Sequence, residues 1–223
     1  LAIIEDAAEA HGLEYKGRPC GSFGTLSVLS FYANKHVTSG EGGMILTNDD
    51  GLAERCRYLR NLCFEPERRF VHEELGWNLR MTNLQAAIGL AQIEQLDNHI
   101  AKKRRMGARY REAFSSLEGV SLAPASTSFA ENDYWVFGMV LDKDRGQTAT
   151  ELMSALGKQG IGTRPFFWPM HEQPVFKRAG LFENDQHPVA EHIARYGLYV
   201  PSGLSLTDAE QDRVIDVVLD TLK

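Results

Sequence analysis

The sequence predicts an α/β fold completed by a smaller C-terminal α+β domain, and three observations lead there. An apolar run, Leu1 to Ile4, delivers the acid pair Glu5-Asp6 into a turn. Strands of open α/β sheets do this at their carboxyl ends, where ligands gather. Two further short strands, Leu26 to Tyr32 and Met44 to Thr47, flank the glycine-dense turn Ser39-Gly40-Glu41-Gly42-Gly43, and glycine permits positive φ and close backbone approach. Beyond Gly119 short strands alternate with helices. The remainder of a large domain is therefore expected over residues 1–105, and the small domain over 106–223.

Between the first two strands, Gly17 to Gly24 holds three glycines and Pro19 and reads as loop. Leu52 to Leu62 is helical in composition, and Phe64 to Arg80 is charged, aromatic and irregular. Thr82 or Asn83 caps a long helix carrying Leu84, Ala87, Ile88, Ala91, Ile93, Leu96 and Ile100 near helical spacing. That helix is expected to continue through Lys102-Lys103-Arg104-Arg105 as a solvated face near a domain hinge. Strands come next at Val120 to Leu122 and Tyr134 to Leu141, with helices at Thr148 to Gln159 and Val189 to Tyr196. Thr207 begins a terminal helix with Asp208 and Glu210 in its first turn. Trp77 and Tyr134 read as core or interface residues.

Composition narrows the class. The chain has 223 residues, 43% of them hydrophobic and 24% charged, which suits one or two globular domains. Twenty-four Lys and Arg against thirty Asp and Glu leave a net charge of -6, with no general attraction to nucleic acid or anionic lipid. No apolar run approaches the roughly 20 residues of a membrane helix. Cys20, Cys56 and Cys63 cannot pair completely and show no C-x-x-C spacing, as expected of reduced thiols in a cytoplasmic protein. The chain opens on Leu1 with an apparent buried strand, so further sequence is expected before it.

Absent motifs exclude several chemistries. Phosphate-loop, dinucleotide and hydrolase-elbow signatures are missing, and no H-E-x-x-H or helical histidine pair offers a zinc site. What remains is an ordered set: Asp6 at a strand end, Ser30 on another strand, Lys35 five residues later, and the glycine turn. Alone, each has an ordinary explanation as cap, strand hydroxyl, surface lysine or hairpin. Together they match the needs of pyridoxal phosphate: an amine for its aldehyde, a carboxylate for its ring nitrogen, hydroxyl and backbone donors for its phosphate.

The strings IIEDAAEAHG and GSFGTLSVLSFYANKHVTSGEGGMILTND closely resemble the sugar-nucleotide aminotransferases of the DegT/DnrJ/StrS type. The resemblance runs on through GWNLRMTNLQAAIGLAQIEQLD and from RPFFWPMHEQPVF to YGLYVPSGLSLT. It implies the fold of type I pyridoxal-phosphate transferases, like aspartate aminotransferase. RNLCFEPERRFVHEELGWN and GTRPFFWPMHEQPVF look most like the subgroup that makes GDP-perosamine, aminating C4 of GDP-4-keto-6-deoxymannose with glutamate as donor.

Carried over by position, the resemblance implies that Lys35 is the Schiff-base lysine and proton carrier. Asp6 pairs with the pyridine nitrogen and Ser30 binds phosphate. Glu9 stands where many relatives carry Gln or His beside the cofactor ring. Asn78 reaches the cofactor phosphate of a neighbouring subunit, which implies at least a homodimer. Arg164, Phe166 and His171 fall in a loop near the sugar nucleotide, where guanidinium meets phosphate and rings cover the sugar. The same loop also reads as a packed interdomain connection stiffened by Pro165 and Pro169. Dehydrating relatives replace the lysine with histidine, and register from Ser30 puts Lys35, not His36, in that slot. The resemblance further implies roughly 150 residues, about a domain's worth, before Leu1. They would complete the pocket, and without them the chain is expected to be inactive. Alternatives are amination at C3, a dTDP- or UDP-linked sugar, or a non-catalytic regulatory member.

Overall fold

The computed structural model describes residues 1–223 as two compact units. One comprises Leu1–Ala101 with Ser126–Asn132, the other Lys102–Ala125 with Asp133–Lys223. No helix is long and apolar enough to cross a membrane, and the three cysteines form no disulfide.

In the first unit β1 (Ile4–Asp6) leads to a small hairpin, β2 (Glu14–Tyr15) and β3 (Arg18–Pro19), then to β4 (Leu26–Ser30) and β5 (Gly43–Leu46). β1 and β4 are parallel, with Ile4 opposite Leu26 and Asp6 opposite Val28. β5 runs antiparallel to β4, Ser30 facing Gly43. The second strand of the hairpin, β3, lies inside the stretch Gly17 to Gly24 expected to be loop, and β2 just before it. The hairpin turns on Lys16 and Gly17 at φ 53° and 72°, the double positive φ of a tight hairpin turn. Lysine is an uncommon choice for that position, which hid it in the sequence.

Parallel strands need a crossover of a dozen or more residues, and residues 7–25 supply it without a helix. Glu5 fastens its end. The Glu5 carboxylate accepts from Gly21 N at 2.6 Å, Phe23 N at 2.7 Å, Gly24 N at 3.1 Å and Ser27 Oγ at 2.9 Å. A Cβ at Gly24 would stand 2.3 Å from Leu26 O and 2.9 Å from Glu5 N, so the loop closes this tightly only on glycine. Burial pushes the Glu5 carboxyl up, but these four donors outweigh it and hold the group below its ordinary 4.5.

Three helices follow: α1 (Asp50–Arg60), capped by Asp49, α2 (Asn83–Ile93), opened by a Thr82–Gln85 capping box, and α3 (Leu96–Phe114). The single long helix expected from Thr82 past Arg105 is thus divided. At the break Gln95 N turns to Gln92 O, at 3.0 Å, tightening the chain for one turn. No residue of α2 is buried. Leu84 and Leu90 are 80% and 60% exposed, so apolar spacing there does not mark an internal face. Trp77, expected in a core or interface, is 55% exposed.

The second unit continues from α3 through β6 (Val120–Leu122), β7 (Phe137–Leu141), α4 (Ala149–Lys158) and β8 (Arg164–Pro165). α5 (Pro174–Arg178), α6 (Pro188–Tyr196), β9 (Gly197–Val200) and α7 (Asp208–Leu222) complete it. Its antiparallel sheet has the order β6-β7-β9-β8. Phe137, Met139 and Leu141 alternate onto the buried face of β7 and meet Tyr110, Phe114, Leu152, Leu156, Val214 and Val218. Each such side chain contributes about 1.5–3 kcal/mol on burial. Thr148–Glu151 and Thr207–Glu210 capping boxes start α4 and α7.

The basic run corrects an expectation, because Lys103 is buried rather than solvated. It falls on the same stripe of α3 as Met106, Gly107, Tyr110 and Phe114. Its amine donates to Trp135 O, at 2.8 Å, and to Ser202 O, tying α3 to the start of β7 and the turn after β9. Burial lowers its pKa to about 8 against the opposing pull of Asp133.

Glu5→Gln is expected to destabilise the first unit by about 1–3 kcal/mol near neutral pH, since a neutral amide replaces a charged acceptor of four bonds. The folded pKa lies below the unfolded value of 4.5. The contribution is therefore complete above that value and lost as pH falls through the folded one. Denaturant melts of both proteins should converge in acid; a constant difference down to pH 3 would refute the assignment.

Candidate active site around Lys35

Two segments leave the sheet side by side where β1 and β4 end. The first turns at once, with Ala7 N still bonded to Val28 O (2.9 Å), Asp6 Oδ1 accepting from Ala8 N (3.0 Å), and Ala10 N reaching back to Ala7 O (3.0 Å). This short Asx-type turn carries Glu9 back over the strand ends.

The second segment, Phe31 to Ser39, is a loop closed on its own first residue. Phe31 O accepts from Ser39 N and from Thr38 Oγ1, each at 3.0 Å, while Phe31 N donates to Gly42 O at 2.9 Å. Ser30 Oγ accepts from Tyr32 N at 3.2 Å at the loop entrance. Within it Lys35 N bonds Tyr32 O (3.0 Å), and the next two residues, His36 and Val37, are buried. His99 Nδ1 donates to His36 O at 3.0 Å. Lys35 is therefore presented by a loop anchored on both sides. Gly42, at φ 136°, holds a backbone conformation that strains any side chain, and a Cβ would lie 2.8 Å from Met81 Cε and 3.1 Å from Ser39 Oγ, so both would have to give way.

An ion pair joins the two segments, Lys35 Nζ to Glu9 Oε1 at 2.7 Å, with side-chain exposures of 10% and 46%. The site thus holds an amine on an anchored loop and a carboxylate, Asp6, at a parallel strand end. It adds a hydroxyl, Ser30, on the adjoining strand. An aldehyde, a basic ring nitrogen and a phosphate on one ligand find their chemical partners in this set, so these residues fit pyridoxal phosphate.

His11 had no task in the sequence; only its place two residues past Glu9 marked it. It is 4% exposed, neither ring nitrogen has a hydrogen-bond partner, and its ring lies 5.8 Å from that of Phe31. Burial first, and the positive charge of Lys35 second, lower its pKa below 6.5. It packs beneath the Lys35 loop against Phe31, in surroundings that disfavour its charged form.

Asn78 is exposed on the segment whose backbone pairs with the end of α1, bridging to Asn61. Arg164, Phe166 and His171 belong to the second unit. Arg164 is exposed on β8. The Phe166 ring fills a slot made by two glycines, since a Cβ at Gly138 would lie 2.4 Å from it and one at Gly197 2.1 Å. His171 is buried and donates from Nε2 to Glu191 Oε1 at 3.0 Å. Packing thus accounts for much of Phe166 and His171.

A model of the DegT/DnrJ/EryC1/StrS aminotransferase family matches residues 1–219. The GDP-perosamine synthase of Caulobacter vibrioides is 40% identical over 215 residues, 96% of this chain and 57% of that protein. The dTDP-3-amino-3,4,6-trideoxy-alpha-D-glucose transaminase of Streptomyces venezuelae is 33% identical over 220 residues, 98% of this chain and 56% of its own. The structure of S. venezuelae DesV superposes with a TM-score of 0.87 at 32% identity, over all of this chain and 58% of that one. The chain therefore spans less than three fifths of these relatives.

His11 ties stability to pH with a definite sign. Its folded pKa lies below the unfolded value, so its contribution is complete above about 6.5 and declines as pH falls and the unfolded state takes up a proton. His11→Phe keeps the ring beside Phe31 and removes the titration. Its denaturation midpoint should decline less than that of the parent between pH 7.5 and 5.5; equal slopes would show that His11 is not held neutral.

Proposed function

The chain belongs to the DegT/DnrJ/EryC1/StrS aminotransferase family, and from that premise we propose that the whole protein is a pyridoxal-phosphate aminotransferase of nucleotide-linked sugars. The observation that carries this is the Lys35 amine, nine-tenths covered on an anchored loop beside the strand ends that bear Asp6 and Ser30. The acceptor we infer is the C4 ketone of a GDP-linked 4-keto-6-deoxy sugar, with glutamate as donor. Supporting it is the 40% identity to a protein named GDP-perosamine synthase. The product would serve O-antigen or other polysaccharide assembly, and the reaction would run in the cytoplasm.

The cofactor, when bound, supplies an aldehyde for amines and a protonated ring that takes up electrons from a substrate carbon. Lys35 would hold it through its amine, and the free Nζ would carry a proton to and from the reacting carbon. Asp6 would hold the ring nitrogen in its protonated form, and Ser30 Oγ would donate to the phosphate. Asn78 would complete the phosphate site of a neighbouring subunit. The exposed apolar residues Leu75, Trp77, Leu79, Leu84, Ile88 and Leu90 support such a homodimer, because patches of this kind mark association surfaces. In the second unit Arg164 would pair with the diphosphate of the sugar nucleotide, with Phe166 and His171 shaping the sugar site.

A second reading, amination at C3 of a dTDP-linked sugar, is favoured by the S. venezuelae transaminase. The test uses the protein expressed from its complete reading frame, supplied with cofactor and glutamate. GDP-, dTDP- and UDP-linked 4-keto and 3-keto sugars are offered in turn, and products are read by mass spectrometry. Amination of the GDP-4-keto sugar at least tenfold faster than the others is expected, and preference for a dTDP-3-keto sugar would overturn the acceptor. Lys35→Ala should lose roughly a hundred- to ten-thousand-fold in turnover; full turnover in that variant would overturn the mechanism.

A further inference from the structure

Glu9 and Lys35 lie 26 residues apart in the chain, yet Lys35 Nζ donates to Glu9 Oε1 at 2.7 Å. Both backbones are held by contacts of their own. Glu9 rides the turn closed by Ala10 N on Ala7 O, and Lys35 rides the loop closed on Phe31 and seated by buried His36 and Val37. The exposures are unequal: half of the Glu9 side chain stays in solvent while nine-tenths of the Lys35 side chain is covered. A half-exposed carboxylate keeps much of its hydration when it pairs, whereas a covered amine needs an acceptor where it stands. Free lysine side chains also carry about 2 kcal/mol of rotamer entropy, which a fixed partner removes in advance.

We propose that Glu9 is the positioning acid of Lys35, a carboxylate that receives Nζ whenever the amine is not joined to the cofactor. The inference rests on the aminotransferase reading, in which the lysine must leave and return in every half-reaction. An amine held at one point returns from one point, which is the advantage of preorganised geometry. Of the neighbouring titratable groups, Asp6 is engaged in its own turn through Ala8 N, and His11 beneath the loop stays neutral. The carboxylate on which Nζ is seated is that of Glu9. Gln at this position would still accept a hydrogen bond, without the charge; Ala would accept nothing.

The test compares the parent with Glu9→Gln, Glu9→Ala and Lys35→Ala, each made from the complete reading frame and checked for folding by circular dichroism. In cofactor-free protein, acylation of Lys35 by an amine-selective acetylating ester is timed and mapped by mass spectrometry. In parallel, growth of the near-ultraviolet and visible absorbance is followed after adding pyridoxal phosphate. Glu9→Ala should acylate Lys35 roughly fivefold faster and develop the absorbance roughly fivefold more slowly, with the isosteric Glu9→Gln between it and the parent. Unchanged acylation and absorbance rates in folded Glu9→Ala would overturn the positioning role while leaving the aminotransferase reading intact. If the parent develops no absorbance beyond that of Lys35→Ala, the aminotransferase reading fails, and the positioning role of Glu9 in catalysis fails with it. The acylation rates would then report only a structural ion pair.

Discussion

Two strands that run the same way cannot be joined by a tight turn, and the first unit is organised by that geometry. Once β1 and β4 pair in parallel, the chain must travel from Asp6 back to the level of Ile3 before β4 can begin. Residues 7–25 make the journey without a helix to stiffen them. Glu5 supplies the stiffness instead, with one carboxylate gathering three backbone N–H groups and a hydroxyl at the point of re-entry. The same parallel pairing puts the carboxyl ends of both strands on one edge, so the segments beyond Asp6 and beyond Ser30 emerge as neighbours. The meeting of Glu9 with Lys35 is a consequence of that direction.

The Lys35 loop shows how a flexible side chain is held by rigid surroundings. Its ends are closed on Phe31, its later residues His36 and Val37 are buried, and His11 lies under it without a hydrogen-bond partner. An uncharged imidazole beneath an ammonium avoids a second positive charge in a covered space. The glycine turn completes the frame: Gly42 takes a positive φ that strains any side chain and packs closely on Met81 and Ser39. Covered floor, fixed loop and exposed carboxylate together leave the Lys35 side chain 10% exposed.

In the second unit the same economy of space appears in apolar form. Gly138 and Gly197 open a slot that the Phe166 ring fills, and Lys103 takes a core position by giving its amine to two carbonyls. Lys103 sits in a run of four basic residues whose charge suggests water, yet the helical stripe shared with Met106, Tyr110 and Phe114 prevails. Periodicity decided burial there, and the hydrogen-bonding carbonyls made it tolerable.

The sequence by itself determined the class of fold and the local chemistry. The strand ending at Asp6, the threonine caps of α2, α4 and α7, the alternation in β7 and the spacing from Ser30 to Lys35 are all local patterns, set by residues within a few positions of one another. The quoted motif strings likewise pointed to the family. Only the tertiary structure decided the rest, because each remaining fact depends on residues distant in the chain. It divided the expected long helix at Glu94-Gln95 and exposed α2 despite its apolar spacing. It placed Lys103 inside, made His11 the floor of the loop, and turned Glu9 from a departure in a motif into the partner of Lys35. Hydrophobic spacing reports that a face is apolar, not what covers it, and charge reports an ion, not its counter-ion. Those are settled only when segments such as 6–11 and 30–39 are folded against each other.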